Sequence, residues 1–469
     1  MDQHARTTQY DPRSFQGLTW HDAVPGIAAG RDSPRAYLER CLEAIAARED
    51  VVRAFASVNE EGARAAADEA TARWKANRPL SPIDGMPIGI KDLLETRDLP
   101  TDFGCAAYSG NHTRRDNAAV WALRQAGAVI LGKTVTAEMG GSHPGPTTNP
   151  FDAARTPGGS SSGSAAAVAA GMVPVAIGTQ VGGSIIRPAS FCGNIALKPT
   201  QGAISRGERQ ATSQSTSGPH ANSIEDAWRT TIEITRRVGG DPGQPGIMGP
   251  DAPPAARRPD RLVVLETEGW GSLDDASRTA FESFLEGLAR AGVTLLRRGD
   301  HPWIETVEQR LVGIGAVGVS ITGWENRWAQ RALVDAKPEG VSQRLKNVLA
   351  RAEAMSVADY QRCLRFRAEA QAAYAALAGM ADGVITLSSV GPAPLWPGDV
   401  PGQPLHPRPT GDIGFNGAAS ALFCPAITVP KLAVGGLPVG VQLMTQRDRD
   451  ADCFGLARWV QESIAPVVV

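Results

Sequence analysis

The sequence predicts an α/β fold: one compact domain built on a central, largely parallel β-sheet. Short apolar runs between glycines at 88–90 and 129–131 suit buried strands, and residues 117–125 between them place Ala, Val, Trp and Leu at helical spacing. Strand, helix and strand at this separation make a βαβ unit. Residues 262–265, a helix near 276–291 and residues 293–296 repeat that logic. No internal repeat and no composition-biased linker interrupts the chain, so all of residues 1–469 read as a single domain.

The elements follow in order. Ser33 and Pro34 form a good N-cap and first helical position, with Tyr37, Leu38, Cys41, Leu42 and Ile45 at helical spacing behind them. A second helix, rich in Ala, Glu and Arg, is expected over 60–75. A long helical region spans 342–378, and the apolar run at 383–387 returns to the sheet. Residues 300–380 are read as a helical layer over one face, on the substrate side. Proline and glycine are dense over 389–410, which predicts an ordered surface loop.

Composition excludes several classes. Hydrophobic residues make up 42% and charged residues 20%, as in an ordinary globular chain with ample core. A formal net charge of −2 gives no electrostatic basis for a nucleic-acid or acidic-membrane partner. The six cysteines include no CxxC pair and read as buried thiols of a reducing compartment. Seven scattered histidines form no HExxH, so no metal is expected, and no organic cofactor is implied. The start of the chain carries no apolar leader core, and no run reaches the roughly 18 apolar residues of a membrane span. A cytoplasmic protein is the expectation.

The stretch from 155 to 200 reads RTPGGSSSGSAAAVAAGMVPVAIGTQVGGSIIRPASFCGNIALKPT. A glycine-flanked run of serines opens an Ala-rich helical segment, and an apolar strand-like run ends in a second glycine-flanked serine, Ser184. Upstream, PIGIKD places Lys91 at the end of another apolar run. Two loop serines and a lysine delivered into an apolar interior are the parts of a nucleophilic catalyst that uses no histidine. A Gly/Ser run alone is most often a flexible linker, but the Ala-rich helix and second GGS that follow do not suit one. A phosphate-cradling loop would need GxxxxGK[ST], which the sequence lacks.

These segments resemble the signature of the amidase signature family, GGSS[SG]GS followed by a GGS-IR-PA type stretch. The likeness extends to GIKD, to GAVILGKT at 127–134 and to ITVP…GLPVGVQL at 427–443, and is weakest over about 245–400. The resemblance implies a mixed, largely parallel sheet covered by helices on both faces, with about 80–205 as the signature core and 381–469 completing the same sheet. It also implies that Ser184 is the nucleophile, Ser160 the bridging serine and Lys91 the general base. Ser161 and Ser162 compete with Ser160 on composition; only the family spacing of 24 residues before Ser184 favours Ser160. The backbone N–H groups of Val181, Gly182, Gly183 and Ser184 would hold the oxyanion. Lys91 must be neutral to act as a base, which burial can achieve, and Asp92 beside it should therefore point elsewhere. Many family members carry Asp where this chain has Gln180 and Thr where it has Val181. The hydrogen bonds of such an Asp must then be replaced or lost. Arg187 is read as support for the loop.

His143, Trp324, Trp328 and Val390 are expected around the substrate pocket, although a loop histidine held by backbone bonds and a pair of core tryptophans are the plainer readings. The implied function is hydrolysis of C–N bonds in small amides or carbamates, with a small molecule as the partner and a homodimer, frequent in the family, as one assembly. The alternatives are the glutaminase subunit of a tRNA-dependent amidotransferase and a hydrolase of allophanate- or biuret-like acids, with Arg206, Arg209 and Arg408 as candidates to grip the acid. A silent binding protein on an amidase scaffold is the non-enzyme alternative.

Overall fold

Small and β-branched residues at 87–91 and 129–134, each run preceded by a turn, form adjacent parallel strands of the central sheet. In the computed structural model, which describes residues 8–141, 143–207 and 212–469, twelve strands form one mixed sheet. In chain order they are β1 (Phe55–Val58), β2 (Pro87–Lys91), β3 (Val129–Thr134), β4 (Val175–Gln180), β5 (Ile195–Lys198), β6 (Thr216–Ala221), β7 (Arg261–Val264), β8 (Thr294–Leu296), β9 (Gly383–Leu387), β10 (Ala426–Val434), β11 (Leu437–Met444) and β12 (Val467–Val468). Across the sheet the order is β1-β3-β2-β4-β6-β5-β10-β11-β9-β7-β8, with β12 beside β10.

The two βαβ units predicted from sequence are both present. The helix Ala118–Gln125 links β2 to β3, and Asp275–Arg290 links β7 to β8. Parallel pairing is confined to β3-β2-β4, β9-β7-β8 and the β10–β12 contact. The middle of the sheet, from β4 through β9, is antiparallel. It is built from β6, whose TSGPHA lacks a clear strand pattern, and from a β10–β11 hairpin that turns at Gly435 and Gly436, both at positive φ.

The helix Pro34–Val52 begins where Ser33 accepts a hydrogen bond from Ala36 N at 3.1 Å. The next runs over Glu60–Lys75, capped by Asn59. The expected helical region at 342–378 is two helices, Gln343–Glu353 and Val357–Ala375, separated where Ser356 and Asp359 form a capping box. With Ile314–Ala336 they make the helical layer. This layer shares a hydrophobic cluster with the sheet and two short helices: Ile314, Ala370 and Tyr374 cluster with Val263 and Val384 of the sheet and with Ile186 and Ala418 of the helices Ile186–Cys192 and Gly417–Ala421.

One helix positions the site. Ser162–Ala169 is buried along its whole length, and its small residues let it lie close to β2–β4. A Cβ on Gly163 would stand 2.2 Å from Ala54 O and 2.4 Å from Val135 N, so only glycine fits there. Residues 389–410 form the expected irregular loop, pinned by a bridge between Leu395 and Arg155.

Candidate active site

Lys91 ends β2, fully buried and opposite Thr134 of β3. Its face of the sheet meets the helix Ser162–Ala169, where Thr134 Oγ1 lies 2.7 Å from Ser164 Oγ. Lys91 Nζ is 2.8 Å from Ser160 Oγ, 2.9 Å from Ser161 Oγ, 2.9 Å from Thr179 Oγ1 and 3.3 Å from Thr179 O. Burial holds its pKa well below the ordinary lysine value. The adjacent helix N-terminus, the positive end of that dipole, works in the same direction.

Asp92 does not enter this cluster. Successive strand residues face opposite sides, and Asp92 turns to Lys133, 3.0 Å away across the other face. Thr101 Oγ1 (2.6 Å) and Pro100 O (3.2 Å) complete the lysine's shell. Burial pushes the Asp92 pKa up and that of Lys133 down, and each partner's charge opposes the other's shift.

The second serine, Ser184, is joined to the first serine loop through the backbone. The Gly159–Ser160 peptide is cis, and Ser161 N donates to Ser184 O at 3.3 Å, so the two serine loops are tied by backbone. Gln180 reaches behind the second loop: its Oε1 accepts from Ile185 N at 2.8 Å and Ile186 N at 3.0 Å, and its Nε2 donates to Ser420 Oγ at 3.1 Å. Ser420 Oγ in turn donates to Gly182 O at 3.1 Å. The bonds in doubt at Gln180 are thus made by an amide that grips the loop at both ends. Among the described residues the N–H groups of 181–184 have no acceptor, and a Cβ on Gly182 would face open space.

Arg187 is buried, and burial lowers its pKa to about 10. Its guanidinium donates to Gly159 O (2.7 Å), Thr410 O (2.6 Å) and Thr410 Oγ1 (3.1 Å), joining the cis peptide to the 389–411 loop. His220, for which no motif in the sequence gives a role, is fully buried on β6; burial first, and Lys91 second, lower its pKa to about 3, so the ring is neutral.

The family profile described as Amidase matches residues 36–454 of this chain. The chain belongs to the amidase signature family. It is 30% identical to a glutamyl-tRNA(Gln) amidotransferase subunit from Anaeromyxobacter sp. strain K over 490 aligned residues, 96% of this chain and 97% of that one. The corresponding protein of Chloroflexus aggregans is 45% identical over 195 residues, a match spanning 40% of either chain. A crystal structure of an amidase superposes with TM-score 0.82 at 27% identity, covering 96% of this chain and 100% of that one.

Beyond the Lys91–Ser160 contact and the backbone bond that ties Ser184 to Ser161, the residues expected around an amidase pocket are dispersed. His143 is half-buried, its carbonyl accepting from Glu138 N at 2.9 Å in a turn beside Ser160. Trp324 stacks on Tyr360 with ring centroids 5.5 Å apart and carries Arg327 on its ring, while Trp328 is 72% exposed. Both tryptophans line a surface hollow with Arg331, Glu353 and Met355. Val390 packs against the main core, following Ser389, whose hydroxyl lies 2.7 Å from Ser190 Oγ. Arg206 pairs with Asp241 at 2.7 Å and Arg408 with Asp412; Arg209 lies outside the described residues. Among the described residues no group of His, Cys, Asp and Glu could hold a metal ion, and no helix is long and apolar enough to cross a membrane. Thr179, at the end of β4 beside Lys91, and Ser420, on the helix Gly417–Ala421 beside Gln180, went unforeseen, because no spacing rule marks residues that meet only through the tertiary fold.

Proposed function

We propose that this chain is a serine amidohydrolase cleaving the C–N bond of small amides or carbamates through an acyl-enzyme on Ser184. The observation that carries the reading is Lys91, buried 2.8 Å from Ser160 Oγ, with its neighbouring carboxylate committed to Lys133. A neutral amine has two N–H donors and one lone pair. Ser161 Oγ and Thr179 can accept the two N–H groups, which leaves the lone pair to receive the Ser160 proton.

In the proposed reaction Ser160 passes its proton to Lys91 and takes the Ser184 proton. Ser184 Oγ then bonds to the carbonyl carbon, and the electron pair of the C=O moves to the oxygen. The unpartnered N–H groups of 181–184 would stabilise that oxyanion, each such donor being worth about 10²–10³ in rate. Ser160 protonates the leaving nitrogen as the C–N bond breaks, and regains a proton from Lys91. Water, deprotonated through the same relay, releases the acid, or from a carbamate the carbonic acid half-ester, which loses CO2 to leave the alcohol.

A second reading follows from the relatives, which are subunits of a tRNA-dependent amidotransferase: the same triad would free ammonia from glutamine for a partner protein. The arginine that an acidic substrate would need is less evident, since Arg206 and Arg408 each hold an aspartate. Turnover of an aryl anilide, a primary arylamide, an aryl carbamate, glutamine and allophanate, with Ser184→Ala as control, separates these readings. Anilide or carbamate cleavage lost in the variant supports the stand-alone hydrolase. Cleavage of glutamine alone supports the amidotransferase reading.

A further inference from the structure

We propose that Glu138 is a positioning residue for Ser160, linking the helical layer to the catalytic hydroxyl; this rests on the proposed roles of Ser160 and Ser184. Glu138 sits in the short turn 137–141 after β3, and only 4% of it is exposed. No step of the proposed reaction uses it.

Its carboxylate meets Ser342 at the start of the helix Gln343–Glu353. Ser342 N donates to Oε1 at 2.9 Å, and Ser342 Oγ donates to Oε2. The Ser342 hydroxyl also accepts from Leu345 N at 3.2 Å as the N-cap. A buried carboxylate at a helix N-terminus is stabilised by the orphan N–H groups and the dipole. Arg344 in the same helical turn pairs with Asp399 and donates to His406 O at 2.6 Å, so one turn of helix also fastens the 389–411 loop.

The backbone around Glu138 faces the catalytic centre. Ala137 N donates to Ser160 O at 3.0 Å, and a Cβ on Gly140 would stand 3.8 Å from Ser160 Oγ. Between these points Met139 takes a left-handed conformation, φ 51 and ψ 26, which a non-glycine residue keeps only when its surroundings enforce it. Those surroundings are Phe103 O, accepting from Met139 N at 2.8 Å, and the apolar cluster of Leu333, Val341 and Leu345 that belongs to the helical layer. Glu138 is thus the polar tie between a layer lying outside the signature motifs and the turn against which Ser160 rests. A loosened turn would let the Ser160 hydroxyl drift from its place 2.8 Å from Lys91 Nζ.

The test is the rate at which a fluorophosphonate labels Ser184, which reads activation of the nucleophile without knowledge of the substrate; final labelling stoichiometry corrects for unfolded protein. Glu138→Ala should slow labelling per competent site by about 10–10²-fold, the scale of a misplacement near 1 Å. Glu138→Gln keeps an acceptor for Ser342 N and should recover most of the rate. Ser342→Ala removes the Oγ half of the tie from the far side, leaving the Ser342 N bond to Oε1, and should slow labelling in the same direction by less than Glu138→Ala does. If the melting temperature falls while the per-site rate stays wild-type in both Glu138→Ala and Ser342→Ala, Glu138 only supports the fold and the proposal is overturned. Wild-type labelling in Ser184→Ala would instead remove the nucleophile assignment beneath it.

Discussion

The carboxylate of Asp92 and the ammonium of Lys133 lie 3.0 Å apart, both buried, on the sheet face opposite Lys91. Strand register explains the division. Ile90 is paired with Lys133 and Lys91 with Thr134, so Lys133 shares its face with Asp92 and not with the candidate base. Two lysines and one carboxylate, brought together on adjacent strands, are sorted into an ion pair and a lone amine. Asp92→Asn should leave Lys133 as an uncompensated buried cation and lower stability by about 3–5 kcal/mol. Urea unfolding at pH 7 measures it, and Asp92→Asn combined with Lys133→Met should lose less than the single change.

Lys91 titration should appear in both activity and stability. With its folded pKa depressed by burial, kcat/KM should rise with pH through that depressed value, on the acid side of lysine's ordinary titration. For stability, the unfolded lysine binds a proton that the folded one does not, at every pH between the depressed value and the unfolded value near 10.4. Stability therefore rises with pH across that window through this group. Wild type should gain melting temperature relative to Lys91→Met as pH rises toward lysine's ordinary value. A constant difference between the two would mean that Lys91 is charged in the folded protein.

Gln180 holds the loop by accepting two backbone N–H bonds, from Ile185 and Ile186, and by donating to Ser420. Gln180→Leu keeps the volume and removes all three. The N–H groups of 181–184 would then lose their aim, and kcat should fall by about 10–10²-fold with little change in KM. Gln180→Glu retains the acceptor and should fall less. Steady-state kinetics on whichever panel substrate turns over gives the comparison.

Legibility followed period and packing. β2, β3 and the helix Glu60–Lys75 announce themselves by apolar runs, by glycine punctuation and by helical composition, and Ser33-Pro34 marks a helix start unaided. Lys91 could be read as buried because its strand is apolar on both sides. The antiparallel middle could not: β6 contains Gly218 and Pro219, which argue against a strand until β4 and β5 are in place to pair with it. Nor could the pocket. Which way Trp324 and Trp328 point depends on how Ile314–Ala336 rolls against Tyr360, a tertiary fact. The break at 354–356 was visible in principle, since Ser356 and Asp359 have capping-box spacing, but an Ala- and Arg-rich flank masks it.

Ser160 and Ser161 stand almost equally far from Lys91, at 2.8 and 2.9 Å, so distance alone does not choose the proton carrier. Hydrogen-bond inventory does. Ser161 Oγ donates its single proton to Thr179 O at 3.1 Å and accepts from Thr179 N at 3.2 Å and from Lys91. Its donor and both lone pairs are committed to holding the end of β4. Ser160 Oγ has only its contact with Lys91 among the described residues, which leaves it free to give and take a proton. Ser160→Ala should therefore lower kcat by about 10²–10⁴-fold, the range for losing a positioned acid–base group. Ser161→Ala should lower the melting temperature more than Ser160→Ala does, and should cost less in kcat per folded site. The reverse ranking of the two kcat values would transfer the relay to Ser161.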